Sequence, residues 1–389
     1  MKVLMINVVC GLRSTGRICT DLAAELEARG HEVKIAYGRE EVPEQFRKYA
    51  VRTGSDTDVR LHALKARLSD GAGFGSVSAT KRFIGWVREY DPDVIHLHNI
   101  HGYYLNAEVL FDYLKACGKR IVWTLHDCWA FTGHAAFCEA AGCEKWRDGC
   151  GDCPKRMDYP KSLTDNSAFN WRRKKDLFTA VPDMAIVTPS EWLAGLVKQS
   201  FLSGYPVTVI RNGIDTQVFR PVRGKMRERK NIRDKTVVLG VASVWDERKG
   251  LHDFIRLYDL LDRSRYAIVL VGLSERQKKE LPEGMTGFTR TDSVRQLVEL
   301  YSTADVYVNP TYEDNYPTTN LEAIACGTPV ITYNTGGSPE SARMFGKIIP
   351  KGNVEEIAEA IRTIDSIRTG RVDVDYRSAL PKYLAVYLK

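Results

Sequence analysis

Along the first 125 residues, short apolar runs alternate with stretches whose apolar positions recur at helical spacing. Residues 2–7, 33–37, 94–98 and 121–125 are such runs, rich in Val and Ile, and each predicts a strand. Between the first two, residues 17–29 place Ile18, Leu22, Ala23 and Leu26 on one helical face and end at Gly30, a residue suited to stopping a helix. Strand–helix–strand alternation requires parallel pairing, with helices covering both faces of the sheet. The alternation resumes after about residue 205, with strands predicted at 237–239, 267–271, 305–308, 330–333 and 348–349. Val294, Leu297, Val298 and Tyr301 mark an amphipathic helix before the third of these.

The pattern predicts an α/β chain of two doubly wound domains, residues 1–203 and 204–370, joined near 201–206, and 389 residues suffice for two. Residues 371–389, with apolar Tyr383, Leu384 and Tyr387, predict a closing helix. Residues 128–175 fit neither half and read as an insertion in the first domain. Open parallel sheets bind ligands at the carboxyl ends of their strands. Two such domains facing each other across a cleft would suit two substrates, so strand-end residues are where function is expected.

Composition narrows the class. Hydrophobic residues at 44% and charged residues at 27% exclude a disordered or fibrous chain. The net charge of +7 is too weak to suggest nucleic acid, but suits an anionic ligand or an acidic membrane surface. No stretch approaches the ~20 apolar residues of a membrane span, and the chain opens on a strand pattern rather than a signal peptide. The expectation is a cytoplasmic protein whose nine cysteines are reduced.

The densest chemistry lies in Pro310-Thr-Tyr-Glu-Asp-Asn-Tyr-Pro-Thr-Thr-Asn-Leu-Glu-Ala-Ile-Ala-Cys-Gly-Thr-Pro-Val330. A strand should end at Pro310 and a helix begin near Thr318, with Glu322 in its first or second turn. A helix N-terminus offers free N–H donors and a partial positive charge for phosphate, and neighbouring acids can accept hydrogen bonds from sugar hydroxyls. On residue types alone, a capped helix with solvated acids explains the stretch equally well.

This segment resembles the retaining glycosyltransferases of the GT-B fold, family four, which carry an acid, seven positions, then Glu and an Ala-x-Ala-x-Gly-x-Pro-Val-like tail. Asp314 and Glu322 fit that spacing, with Asp standing where Glu is usual and Asn-Tyr-Pro replacing Gly-Phe-Gly. The resemblance extends through Pro189-Ser-Glu-Trp192, Asn212-Gly-Ile-Asp-Thr-Gln-Val-Phe219 with Pro221, and Gly336-Gly337-Ser338-Pro339-Glu340. It implies that Asp314 contacts donor-sugar hydroxyls, that the Asn315 to Asn320 loop (Asn315, Pro317, Thr318, Thr319, Asn320) binds the diphosphate, and that Glu322 holds the ribose. In Ser243-Val-Trp-Asp-Glu-Arg-Lys-Gly250, Lys249 matches the family's Lys-Gly, but no Arg stands five positions earlier; Arg248 is the nearest substitute for the missing cation.

In the first half, Cys10-Gly-Leu-Arg-Ser-Thr-Gly-Arg17 lacks the spacing of a dinucleotide or P-loop fingerprint. It is similar to the family's glycine loop near the donor phosphates, which assigns Gly16 and Arg17. The Thr124-Leu-His126-Asp127 strand end resembles the family's His at the reacting sugar, making His126 the catalytic candidate, while His98 and His101 line the acceptor side or satisfy local hydrogen bonds. The implied mechanism retains the anomeric configuration, with the acceptor hydroxyl attacking on the leaving-group side and the phosphate taking its proton. Three Asp-x-Asp pairs (Asp56/Asp58, Asp91/Asp93, Asp373/Asp375) lie away from these motifs, and no catalytic metal is expected.

Two features stand outside the resemblance. Cys138, Cys143, Cys150 and Cys153 lie within sixteen positions; four soft ligands suit a closed structural zinc site, and free structural thiols are the alternative. Residues 155–175 hold Lys155, Arg156, Lys161, Arg172, Arg173, Lys174 and Lys175 against Asp158 and Asp165, with Tyr159, Phe169 and Trp171 interleaved. That run is either a solvated face or a rest for an anionic membrane or pyrophosphate-linked lipid; no nucleic-acid motif accompanies it. Together these readings imply transfer of a sugar from a nucleotide diphosphate donor, UDP ahead of GDP, to a polysaccharide or lipid-linked oligosaccharide at the inner face of the membrane. The resemblance is strongest to capsular and exopolysaccharide members of colanic-acid type. The rivals are a nucleotide-sugar epimerase of the same fold and a catalytically degenerate nucleotide-binding scaffold.

Overall fold

The computed structural model describes residues 1–389 apart from 231, 344 and 365–371. The chain forms two compact units, Met1–Arg211 with Arg377–Lys389, and Asn212–Tyr376. The first holds strands β1 (Lys2–Ile6), β2 (Glu32–Tyr37), β3 (Ala50–Arg52), β4 (Val94–Leu97), β5 (Arg120–Thr124), β6 (Met184–Thr188) and β7 (Val207–Val209). They make one sheet in the order β3-β2-β1-β4-β5-β6-β7, parallel throughout. Helices cover both faces, which is why strands such as Val94–Leu97 are buried along their whole length and are apolar on both faces but for His96.

The second unit repeats the plan with β8 (Thr236–Val241), β9 (Tyr266–Val271), β10 (Thr286–Phe288), β11 (Val306–Asn309), β12 (Val330–Tyr333) and β13 (Gly346–Ile349). Their order is β10-β9-β8-β11-β12-β13, again parallel. In each sheet the winding reverses beside the first strand, between β1 and β4 and between β8 and β11. In open parallel sheets, the strand ends at such a reversal are where ligands bind. Both units are thus doubly wound and Rossmann-like.

Every predicted strand is present, with ends shifted by a residue or two. β3, β6, β7 and β10 went unpredicted. Three of them are three-residue strands, too short to show a period, and β6 follows the irregular insertion that interrupts the alternation. This moves a boundary: β7 pairs with β6, so the first unit runs to Arg211, past the join expected near 201–206. The second unit extends beyond 370 to Tyr376, where Asp375 bridges to Ile214. Of the closing segment 371–389, residue 371 lies outside the described residues. Its helix Leu380–Tyr387 belongs to the first unit, where the Tyr387 hydroxyl lies 2.7 Å from His96 Nδ1.

The insertion is held by buried polar groups. Asp70 Oδ1 meets His134 Nδ1 at 2.5 Å, and the Asp70 carbonyl accepts from Asn170 Nδ2 at 2.7 Å. Lys174, on the helix Ser167–Phe178, is buried; its Nζ donates to the Trp129 and Thr132 carbonyls at 2.8 and 3.0 Å and stands 3.5 Å from the Trp129 ring centre. Burial draws its ammonium down to about 7. The basic run is therefore not one solvated face: Lys174 points inward and Arg173 pairs with Glu108, leaving Arg172 and Lys175 exposed.

Candidate functional site

In the second unit, the loop after β8 and the loop after β11 meet. Asp246 accepts from the Lys249 amide at 3.0 Å and caps a short 3-10 turn, Glu247–Lys249, which Gly250 ends with φ of 74°. An added Cβ at Gly250 would stand 2.2 Å from the Pro310 carbonyl oxygen, so the turn packs directly on the end of the second loop. The loops are sewn together by backbone. The Tyr312 amide donates to the Arg248 carbonyl at 2.8 Å, and Arg248 Nη1 donates to the Glu313 carbonyl at 2.8 Å.

Lys249 Nζ reaches Asp314 Oδ2 at 2.5 Å, joining two of the predicted residues in one ion pair. Burial pushes the Asp314 carboxyl up, but Lys249 and Arg248 outweigh it and hold it below the usual carboxylate range. The late glycine loop joins here too, since the Gly337 amide donates to the Asp314 carbonyl at 3.2 Å.

The helix Thr318–Ala325 begins after Pro317, which brings no side-chain cap to its first amides. Asn315 is buried, and Thr318 and Thr319 are partly exposed on the first turn. Asn320 is committed elsewhere: it accepts from Asn309 Nδ2 at 2.8 Å and donates to Ser341 Oγ at 2.8 Å, locking the helix to β11 and to the helix Ser338–Ala342. Glu322 is buried, with its Oε2 accepting from the Tyr301 hydroxyl at 2.9 Å.

The first unit gathers three histidines, His98, His101 and His126, beyond the carboxyl ends of β4 and β5. His98 Nδ1 lies 3.0 Å from His126 Nε2, the rings stacked at 14°. Both rings are desolvated, which draws His126 down to about 4 and His98 well below its ordinary value, so near neutral pH each is an uncharged imidazole. His98 Nε2 is buried, with no hydrogen-bond partner among the described residues. His101 Nε2 meets Asp127 Oδ2 at 2.9 Å and its Nδ1 meets the Tyr159 hydroxyl at 3.1 Å. A cavity of about 10 Å³, near the smallest that holds one water, lies among His98, His101, Trp123, His126, Asp127 and Trp129.

Asp127 and Tyr159 were not read from the sequence as partners of the histidines, although Asp127 stands next to His126 in the quoted strand end and Tyr159 was named among the aromatics of the basic run. Tyr159 comes from the insertion, and no spacing links it to His101. Gly16 and Arg17 lie in the first turns of the helix Arg13–Ala28, after β1. An added Cβ at Gly16 would come within 3.1 Å of the Gly11 amide nitrogen, so its lack of a side chain lets the helix close on its own loop.

The cysteines do not form the expected ligand set. Among the described residues no three His, Cys, Asp or Glu side chains are grouped to hold a metal ion. Cys150 Sγ instead accepts from the Gly133 amide at 3.2 Å, and burial pushes its thiol up to about 11 and raises Cys153 as well. The four thiols do not fit a zinc site as arranged, because ligation needs thiolates converging on one point.

A model of the Glycosyltransferase Family 4 domain matches residues 15–218, more than half of the chain, and one described as glycosyl transferases group 1 matches residues 222–377. The chain belongs to glycosyltransferase family 4. This family-4 glycosyltransferase is 24% identical over 366 residues to the protein named for colanic acid biosynthesis glycosyl transfer, WcaC, in Escherichia coli (strain K12), covering 89% of this chain and 86% of that one. Among solved structures it resembles sucrose-phosphate synthase from Thermosynechococcus elongatus, with a TM-score of 0.68, 18% identity, and 100% and 96% of the two chains covered. It also resembles the Anabaena protein HepE in complex with UDP, with a TM-score of 0.66, 15% identity and 99% of each chain covered. These likenesses establish the GT-B fold. The family's substrates are nucleotide sugars, consistent with the amides and cations gathered at the ends of β8 and β11.

Proposed function

We propose that this glycosyltransferase moves a sugar, with retained anomeric configuration, from a UDP-linked donor to a polysaccharide or lipid-linked oligosaccharide acceptor at the cytoplasmic face of a membrane. The observation that carries the reading is the Lys249–Asp314 pair, held by two loops at the reversal point of the second sheet and followed directly by the helix Thr318–Ala325. UDP is favoured over GDP by the HepE complexes with UDP and UDP-glucose, and the acceptor class by the name of WcaC.

In this reading, Lys249 and Arg248 offset the charge of the departing diphosphate, and the turn from Pro317 to Asn320 receives its oxygens on the free amides of Thr318 and Thr319, Pro317 having no N–H and the Asn320 amide donating to the Pro317 carbonyl. Asp314 accepts from donor-sugar hydroxyls and Glu322 from the ribose. Asn315 and the side chain of Asn320 support the loop. Gly16 and Arg17 are assigned to the donor phosphates, His126 to the reacting sugar, and His98 and His101 to the acceptor side. The neutral imidazoles of His98 and His126 suit that role, since they exchange hydrogen bonds with hydroxyls without burying a charge.

Calorimetric titration of the intact protein with UDP and GDP tests the donor. UDP is expected to bind more tightly, and Glu322→Ala to weaken it about tenfold or more, the loss of a hydrogen bond to a charged group. Binding of neither nucleotide would remove the donor reading, and unchanged UDP affinity in Glu322→Ala would remove the ribose assignment.

A further inference from the structure

The helix Asp56–Ser69 of the first unit presents an unusual outer face. Its buried positions are His62 and Ala66, whereas Leu61, Leu64 and Leu68 keep 62%, 55% and 53% of their exposure. Positions three and four apart share a helix face, so the three leucines form one stripe turned to the outside. The stripe continues beyond the helix. The Leu163 amide donates to the Arg67 carbonyl at 2.8 Å and the Thr164 hydroxyl to the Leu68 carbonyl at 2.9 Å, laying this segment along the last turn. Leu163, itself 54% exposed, extends the stripe there. Arg156 Nη1 donates to the Leu163 carbonyl at 2.6 Å and draws the loop bearing exposed Met157 to the same edge.

The rim of this face is basic. The helix carries Arg60, Lys65 and Arg67, its acids being confined to the first turn, where Asp56 pairs with Arg52 and Asp58 caps the helix start, and the loop adds Arg156 and Lys161. The acid of that loop, Asp158, is paired with Lys155. Leucines flanked by cations complement an anionic bilayer: apolar side chains enter the boundary between headgroups and acyl chains, and cations meet lipid phosphates. A second copy of the chain fits less well, because a twofold contact would set the same cations against each other. We propose that this face docks the first unit on an anionic membrane surface through Leu61, Leu64, Leu68 and Leu163. The proposal rests on the membrane placement in the proposed function and names the surface that would achieve it; its failure is distinguishable from failure of the donor reading, because vesicle binding and nucleotide binding are separate measurements.

Co-sedimentation of the intact protein with phosphatidylcholine vesicles containing phosphatidylglycerol, and with vesicles of phosphatidylcholine alone, tests it. Binding is expected to the anionic vesicles, to weaken with added salt, and to fall about tenfold or more in the variant combining Leu61→Gln, Leu64→Gln and Leu68→Gln. These side chains lie outside the core, so the circular dichroism of that variant should match the parent. A second variant, Arg60→Glu with Lys161→Glu, leaves the leucines intact and should also reduce binding. The proposal is overturned by no binding to either vesicle, by equal binding to both, or by binding that both variants retain. It is also overturned if light scattering shows a dimer that the leucine variant converts to monomer, which would make the face a self-association surface.

Discussion

Lys249 and Asp314 come from loops after different strands, and their side chains keep only 19% and 17% of their exposure. At that depth each charge depends on the other, because water reaches neither fully. Lys249→Met leaves a desolvated carboxylate, and Asp314→Asn leaves an ammonium beside the Arg248 guanidinium. Each single change should destabilise the second unit by about 1–3 kcal/mol, while the double variant loses less than the sum, since the pair disappears together. Denaturant unfolding of the four proteins measures that coupling, and additive losses would show that the pair is not a unit. Turnover should follow a different rule: both singles and the double fall by about 100-fold or more, because each removes charge compensation or sugar contact at the donor.

The elements that carry those residues were legible to different degrees, for physical reasons. β4 and β5 were readable because a strand buried on both faces is mostly apolar, and 94–97 and 120–124 are so apart from His96 in the first and the terminal Arg120 and Thr124 in the second. The helix at Thr318 was readable because Pro317 and the change of period mark its start. The donor loop was recognised through its spacing, a one-dimensional property. Contacts such as His101 to Tyr159, or Asp70 to His134, join residues 58 and 64 positions apart, and nothing in the local pattern encodes them. The cysteine spacing pointed to zinc because spacing counts ligands but cannot show where thiols point. Gly250 was seen only as the partner of Lys249, and its role is steric. With φ of 74° and the Pro310 carbonyl 2.2 Å from an added Cβ, Gly250→Ala must move one loop away from the other. We expect a loss of about 2 kcal/mol or more in the thermal unfolding of the second unit and weaker nucleotide binding, with vesicle binding by the first unit unchanged. A variant with parental stability and affinity would show that the two loops are not coupled through this turn.

At the scale of the whole molecule the two units differ in how they should meet acid. Of the eight histidines, only His252 lies in the second unit. In the first, burial holds His62 and His126 down to about 4 and His96 to about 3, with His98 also well below its ordinary value. Each of these imidazoles is neutral in the folded unit and takes a proton on unfolding once the pH falls below about 6.5, the value for a free side chain. Between about 6.5 and 4 the unfolded state therefore binds more protons than the native state, so stability rises with pH in that window and is lost as pH falls, by about 1.4 kcal/mol per pH unit for each group. The second unit has no matching set, and its depressed carboxylate, Asp314, protonates only at lower pH. Acidification should then unfold the first unit ahead of the second. Six of the seven tryptophans lie in the first unit, so their fluorescence follows it, while hydrogen exchange read by mass spectrometry follows peptides from 236–349. Expected is a fluorescence transition at higher pH than the loss of protection in the second sheet, with a shallower pH dependence in His96→Gln. Coincident transitions, or earlier exchange in the second unit, would show that the buried imidazoles do not set the acid limit of the fold.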